Sequence, residues 1–258
     1  MGRTPSPAEE GVTVGPREFY GEIPSTQDRA RELALAGAAE GTRVVALVQT
    51  KGRGRLDHRW ASPPGGLYLS IVLRAPPEHV TWLPLALGAR IADGLAAATR
   101  SDFRVKWPND VLAGSDGGPF QKVAGILVDR LDTRWGTAEI AGIGVNVATP
   151  ASAFPPEVRA TATSLAVVAP PGPSITKVEQ IVVQSALDAA AGLVGRENLA
   201  TTRALCRRWL WGVGRPVTVD GVPAGDIVGL DEEGALLVRR ATETTAIRAG
   251  EVRVEEPG

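Results

Sequence analysis

The stretch "FRVKWPNDVLAGSDGGPFQKVAGILVDR", Phe103 to Arg130, decides the fold of this 258-residue chain. It opens with an alternation: Phe103, Val105 and Trp107 fall on one side of an extended strand and Arg104 and Lys106 on the other, because successive strand side chains point to opposite faces. Pro108 has no N–H and stops the ladder. Asn109 and Asp110 then stand at the rim of a sheet, an amide beside a carboxylate. A turn-rich hairpin follows, with a glycine-rich tip at Gly114 to Gly118, and "QKVAGILVD" returns as an apolar strand headed by Lys122. The run "TAEIAGIGVNV" to Val147 adds another strand, so the sheet has antiparallel character.

Upstream, "RVVALVQT" is a compact β-branched run, and in "LYLSIVLR" the residues Leu67, Leu69, Ile71 and Leu73 share one face of a strand. In "STQDRARELALAG", Ser25 is placed to cap a helix, with Asp28 three residues later and an apolar stripe of Ala30, Leu33 and Ala34. Gly37 or Gly41 would end it. A long helix is expected from about Leu83 to Arg100. Downstream, "ATPASAFPPEVRA" is a proline-rich linker, followed by a Ser174-capped helix to about Leu193 and a second helical stretch to Trp211. The plan is α+β, a mixed, largely antiparallel sheet flanked by helices, which the element order places on one side.

After Trp211 the pattern changes to short strands joined at Asp220-Gly221, Asp231 to Gly234 and Ala249-Gly250, the rhythm of a small β-barrel. The expected organisation is an N-terminal tail at 1–18, a main domain at 19–211 and a terminal barrel at 212–258.

Composition narrows the function classes. With 28 basic and 29 acidic residues the chain has a formal net charge of -1, so it carries no overall footprint for a polyanion. Only 5% of residues are aromatic, which disfavours a single-strand RNA-binding module, since those need stacking platforms as well as a basic groove. One cysteine, Cys206, excludes an intramolecular disulfide and fits a reducing compartment. No apolar run reaches membrane-spanning length, and the start of the chain has no signal-peptide core, so the expectation is a cytoplasmic protein. Ser6 after Met1-Gly2 satisfies the letter of a myristoylation motif and reads as a chance match.

The basic decapeptide "KGRGRLDHRW", Lys51 to Trp60, is therefore a local feature. Glycine lets an anion approach the backbone and arginine offers a forked donor to phosphate or carboxylate; the alternative is an exposed solvated loop. Asn109 and Asp110 suit a magnesium ion or a nucleophilic amine, or form an Asx turn. Lys122 is placed to counter a carboxylate or phosphate, or merely flanks a strand edge, and Gly125 permits close approach. "GIGVNV", Gly142 to Val147, lacks the following helix of a dinucleotide fold. His58 and His79 are far apart, no zinc set is present, and no serine nucleophile elbow occurs. Cys206, in "LCRRW", reads as core.

The order of these motifs decides more than any one of them. "STQ" at Ser25 to Gln27, "QTKGRGRLDHRW" at Gln49 to Trp60, "KWPNDV" at Lys106 to Val111, "KVAGILV" at Lys122 to Val128 and "GIGVNV" together resemble biotin–protein ligase, from about Phe19 to the C-terminus. The resemblance implies a class II synthetase-like catalytic domain of the biotin/lipoate ligase kind, with an SH3-like terminal barrel. It implies adenylation of biotin with Mg-ATP, then transfer of biotin from biotinyl-AMP to a lysine of a biotin carboxyl carrier domain of a biotin-dependent carboxylase. Ser25, Thr26 and Gln49 would hold the biotin head, with backbone groups from Gly52, Gly125 and Leu127. Arg53, Arg55 and Lys122 would sit at the carboxylate and α-phosphate, Trp60 would pack the loop over the adenylate, and Asn146 would lie near the ATP phosphates or ribose. Asn109 and Asp110 would lie near magnesium and the incoming lysine, so that Lys122, Arg55 and Asp110 carry the catalysis. A homodimer is compatible with the resemblance. The tail before Phe19 is too short for the helix-turn-helix domain of repressor-type members, so a ligase of the monofunctional type, without DNA or membrane binding, is expected. Gln27 stands where the family often has Asn, and Asp57 and His58 where it often has Gly-Arg; His58 would make loop closure sensitive to pH. The rival readings are lipoate–protein ligase, which shares the fold and chemistry, and a relic that binds biotin without transferring it.

Overall fold

A computed structural model describes residues 15–55, 58–114 and 119–255; the expectations for the tail before residue 15, the tip at 115–118 and Asp57 lie outside the described residues. Seven strands form the main sheet: β1 (Arg17–Ile23), β2 (Arg43–Gln49), β3 (Gly66–Leu73), β4 (Asp102–Lys106), β5 (Asp110–Gly114), β6 (Gln121–Thr133) and β7 (Gly136–Asn146). Their spatial order is β1-β2-β3-β7-β6-β5-β4, and only the β1–β2 pair is parallel. The helices are α1 (Thr26–Leu35), α2 (Leu83–Thr99), the single turn α3 (Leu165–Val168), α4 (Ile175–Ala191) and α5 (Arg196–Trp209). The mixed, largely antiparallel α+β plan is thus the observed one.

The alternation in the sequence sorts the faces. Leu67, Leu69, Ile71 and Leu73 of β3, Phe103 and Val105 of β4, and Ile143 and Val145 of β7 point into one core, where α2 and α4 pack. Along α2, Leu83, Leu87, Ile91 and Leu95 are wholly buried, and each such side chain contributes roughly 1.5–3 kcal/mol relative to exposure. Leu87→Ala would therefore cost about 2–5 kcal/mol. Cys206 lies in this core, and burial pushes its thiol up to about 12, which keeps it inert.

Three features depart from expectation. Helices cover both faces, because α1 links the parallel strands β1 and β2 and sets Ala30 and Ala34 against Val44, Val72 and Ile140 on the opposite side. The strand β1 starts at Arg17, inside the expected tail, where it pairs with Arg43 and where Arg17 Nε meets Glu179 at 2.7 Å. The terminal strands β8 (Pro216–Val219), β9 (Val222–Leu230), β10 (Leu236–Arg240), β11 (Glu243–Ile247) and β12 (Val252–Val254) run in the order β11-β10-β9-β8-β12, so β11 and β12 remain edges. The expected barrel is an open sheet among the described residues. Its β9–β10 turn is tied down by tryptophans: Trp82 Nε1 donates to Glu232 O and Trp107 Nε1 to Gly234 O, each at 3.0 Å.

Candidate active site

A cleft of about 1160 Å³ opens on the α1 face of the main sheet. Its floor comes from a break in strand periodicity. In β5–β6 pairing, Val111 faces Ala124 while Leu112 faces Lys122, so Val123 is an extra residue, a β-bulge. Val123 and Ala124 both enter the core. Lys122 consequently shares the cleft with Gly125 and Leu127, although it stands three positions before Gly125, an odd offset that a regular strand would send to the other face. On β7, regular alternation brings Gly142, Gly144 and Asn146 to the same cleft.

The missing side chains on this floor are used. A Cβ at Gly144 would fall on Trp60 Nε1, and one at Gly125 would lie 2.6 Å from Trp60 Cζ3. The indole seats flat on two strands, with Lys122 Nζ 5.1 Å from its ring centroid, and its Nε1 is buried without a hydrogen-bond partner. A Cβ at Gly142 would meet Gln27 Oε1 at 2.5 Å, so that glycine makes room for the glutamine.

At one end of the cleft stands a polar pocket. Thr26 N and Oγ1 both donate to Gln49 Oε1, at 2.8 and 3.0 Å, and Thr26 Oγ1 lies 2.9 Å from Ser70 Oγ. Ser70 Oγ donates to Gln27 Oε1 at 3.0 Å; Gln27 Nε2 donates to Ile140 O at 2.8 Å and to Asp129 Oδ2 at 3.2 Å. Ser25 is buried but does not line the cleft: its Oγ accepts from Asp28 N at 3.2 Å and caps α1, the local role its sequence position foretold.

On either side of residues 56–57 the basic loop is held by backbone hydrogen bonds. Trp60 N donates to Gly52 O, Gly54 N to His58 O and Arg59 Nη2 to Thr50 O. A Cβ at Gly52 would collide with Trp60 O, so glycine is required there. The two central arginines diverge. Arg53 Nη1 meets Asp28 Oδ1 at 2.9 Å, whereas Arg55 Nη1 donates to Asn109 Oδ1 at 3.2 Å.

Asn109 also donates from Nδ2 to Ile126 O at 2.7 Å. Beside it, Asp110 Oδ1 forms an ion pair with Lys122 Nζ at 2.6 Å. Burial lowers the Lys106 ammonium below its ordinary pKa; Asp110 and Glu251 oppose the shift, while Lys122 and Arg253 add to it. Asn146 is buried and donates from Nδ2 to Thr163 O at 3.0 Å, fixing the segment that covers Lys122.

Thus Thr26, Gln49, Gly52, Arg53, Arg55, Trp60, Asn109, Asp110, Lys122, Gly125, Leu127 and Asn146 all line one cleft. Sequence reasoning missed Ser70, Gly142 and Gly144 as floor, Lys106 as a wall, the linker residues Phe154 and Val158, and the terminal residues Glu251 and Arg253. Alternating glycines in "GIGVN" were a usable signal, because paired glycines on one strand face leave a hollow. Nothing near Glu251 announced its place.

No group of three or more His, Cys, Asp or Glu side chains is assembled among the described residues. Asp110 and Asn109, a carboxylate and an amide on the cleft wall, fit a magnesium ion that is held mainly by substrate phosphates and by one carboxylate, as that ion prefers. No helix among the described residues is long and apolar enough to cross a membrane.

The architecture and cleft are those of a ligase that joins a small carboxylic acid to a protein, and the family match agrees. The biotin/lipoate A/B protein ligase family model matches residues 20–146. The biotin–[acetyl-CoA-carboxylase] ligase of Mycobacterium tuberculosis is 30% identical over 233 residues, 85% of this chain and 81% of that one. The bifunctional ligase/repressor BirA of Bacillus subtilis is 32% identical over 230 residues, 85% of this chain and 68% of that one. The biotin protein ligase of Aquifex aeolicus, solved in complex with biotin and ATP, superposes with a TM-score of 0.77 at 30% identity, covering 93% of this chain and 99% of that one. The chain belongs to the biotin/lipoate A/B protein ligase family.

Proposed function

We propose that this protein is a biotin–protein ligase that forms biotinyl-AMP from biotin and ATP, and then biotinylates a lysine of a biotin carboxyl carrier domain. The observation that carries the reading is the polarity of the cleft. A hydrogen-bonding pocket of Thr26, Gln49 and Ser70 stands at one end, Lys122, Arg55, Asn109 and Asp110 at the other, and two glycine-floored strands lie between. Kinship with the Mycobacterium tuberculosis and Aquifex aeolicus ligases supports biotin as the acid.

In this reading the acid lies along Gly125, Leu127 and Gly144 with its head at Thr26 and Gln49, and Ser25 fixes the turn that presents Thr26. Two anions must then meet. Lys122, with Arg55 and the Gly52–Arg53 backbone, offsets their repulsion and stabilises the charge that grows as a carboxylate oxygen attacks the α-phosphorus and pyrophosphate departs. Magnesium, when bound, neutralises phosphate charge beside Asp110 and Asn109. Asn146 fixes the wall beside the nucleotide. In the second step the carrier ammonium loses its proton, Asp110 being the carboxylate placed to orient or accept it, and the neutral Nζ attacks the acyl carbon while AMP leaves. Trp60 and its loop keep water from the acyl phosphate.

The division near residue 212, a cytoplasmic setting consistent with the single buried Cys206, and a carrier-domain partner belong to the same proposal. Competition between isotope-labelled biotin and lipoate for transfer to their carrier domains tests the acid. Preferential biotin transfer is expected; preferential lipoate transfer would overturn the assignment.

A further inference from the structure

Two of the loop's three arginines have different anchors, Arg55 on Asn109 and Arg53 on Asp28, and the tie at Arg53 leads back into the polar pocket. Arg53 Nη1 is 2.9 Å from Asp28 Oδ1 and 3.8 Å from Asp129 Oδ2. Asp129 is the less exposed of the two carboxylates, at 21% against 56%, and Arg31 Nη1 also approaches it, at 3.5 Å. The same Oδ2 accepts from Gln27 Nε2 at 3.2 Å. From there two donors run in one direction: Ser70 Oγ, which lies 2.9 Å from Thr26 Oγ1, donates to Gln27 Oε1, and Gln27 Nε2 donates to the carboxylate. A chain of donors ending on an anion is polarised along its length.

The far stem of the loop joins the same network. Gln49 Nε2 donates to Ser62 Oγ at 2.9 Å, Ser62 Oγ donates to Trp60 O at 3.2 Å, and Gln49 Oε1 accepts from Thr26. Both stems of the 51–60 loop are therefore wired to the residues that form the pocket for the acid's head.

We propose that Asp129 is a positioning residue that couples head-pocket occupancy to loop closure, holding Arg53 through its charge and Gln27 through its hydrogen bond. Gln27 is the specific adaptor. Its long amide spans from Ser70 to Asp129 over Gly142, the only residue type at that position that leaves space for it. Arg53 then acts as an anchor of the loop rather than as a ligand of the adenylate. An acid that re-partners Thr26 or Ser70 changes the polarisation felt by Asp129, and with it the grip on Arg53. The inference rests on the ligase reading for its functional consequence, but not for the existence of the tie.

Two measurements on the full chain separate these levels. The first uses ligand-free protein and follows trypsin cleavage within 51–60, which reports how often the loop opens. Asp28→Asn removes one largely exposed ion pair and should speed cleavage about 2–5-fold. Asp129→Asn weakens two ion pairs and the Gln27 bond and should speed it about 10-fold. The second follows escape of preformed biotinyl-AMP into solution, where the same order of effects is expected and the paired exchange Arg53→Asp with Asp28→Arg should recover part of the loss caused by Arg53→Asp alone. Wild-type cleavage rates in both aspartate variants would overturn the proposal. So would failure of the paired exchange to recover retention, which would mark Arg53 as a direct ligand. If the wild-type protein formed no biotinyl-AMP, the ligase reading would fail, and the cleavage series would still decide the tie.

Discussion

Lys122 Nζ stands 2.6 Å from Asp110 Oδ1 across a β-bulge that turns Lys122 out of the core and into the cleft. One carboxylate thus restrains the cation assigned to the first chemical step and is itself assigned to the second. Asp110→Asn should separate the two. Adenylate formation is expected to stay within about 10-fold of wild type, while biotinyl transfer slows by about 100-fold or more, the usual scale for loss of a proton acceptor. Rapid-quench measurement of each half-reaction checks this; equal slowing of both would deny Asp110 a role specific to transfer, and slowing of adenylate formation alone would assign it to the first step.

Gly144→Ala tests the seat of Trp60. The new methyl would clash with the indole Nε1, so the ring must shift off the floor. Faster loss of biotinyl-AMP and a red-shifted tryptophan emission are expected. Gly21→Ala on β1 is the control, because a Cβ there meets nothing within 4 Å. Unchanged adenylate retention in Gly144→Ala would remove Trp60 from the account.

Ser25 combines an observed capping role with a biotin contact that the family resemblance implies. Ser25→Ala should destabilise the fold by about 1 kcal/mol through loss of the α1 cap, and Ser25→Asp, which restores a capping oxygen, should recover most of it. Urea denaturation measures the stability, and biotin titration of the stable aspartate variant measures the contact. Full biotin affinity in that variant would confine Ser25 to capping.

Lys106 makes stability depend on pH with a definite sign. Burial lowers its folded-state pKa, so the unfolded chain binds more protons than the folded one across the interval between the two values. The cost of burying the charge is complete below the folded pKa and disappears as pH rises through the unfolded value, 10.5 for an ordinary lysine. Lys106→Met should therefore raise the melting temperature near neutrality, and the gain should shrink as pH approaches that value. A gain that grows with pH would contradict the assigned cause.

Most of the main sheet was legible because its strands alternate cleanly: "LYLSIVLR" and "FRVKW" buried the side chains their pattern assigned to the core. Ser25 and Ser174 as caps were equally legible, since capping is a local property. Strand β1 was not, because its Arg17–Ile23 segment lies at a sheet edge and carries no strong alternation, and its stability comes from Arg43 and Glu179, far away in sequence. The bulge at Val123 was invisible for a related reason: an extra residue in one strand is defined only by its partner. The same holds for the cleft wall at Glu251, which depends on how the terminal sheet docks through Trp82 and Trp107.

The most direct test is mass spectrometry of a biotin carboxyl carrier domain incubated with this protein, biotin and Mg-ATP, beside a Lys122→Ala control. The account predicts a mass gain of one biotinyl group on a single lysine, lost or reduced at least about 100-fold in the control. A carrier that stays unmodified while the protein binds biotin would contradict the ligase reading, and full modification by Lys122→Ala would contradict the role given to Lys122.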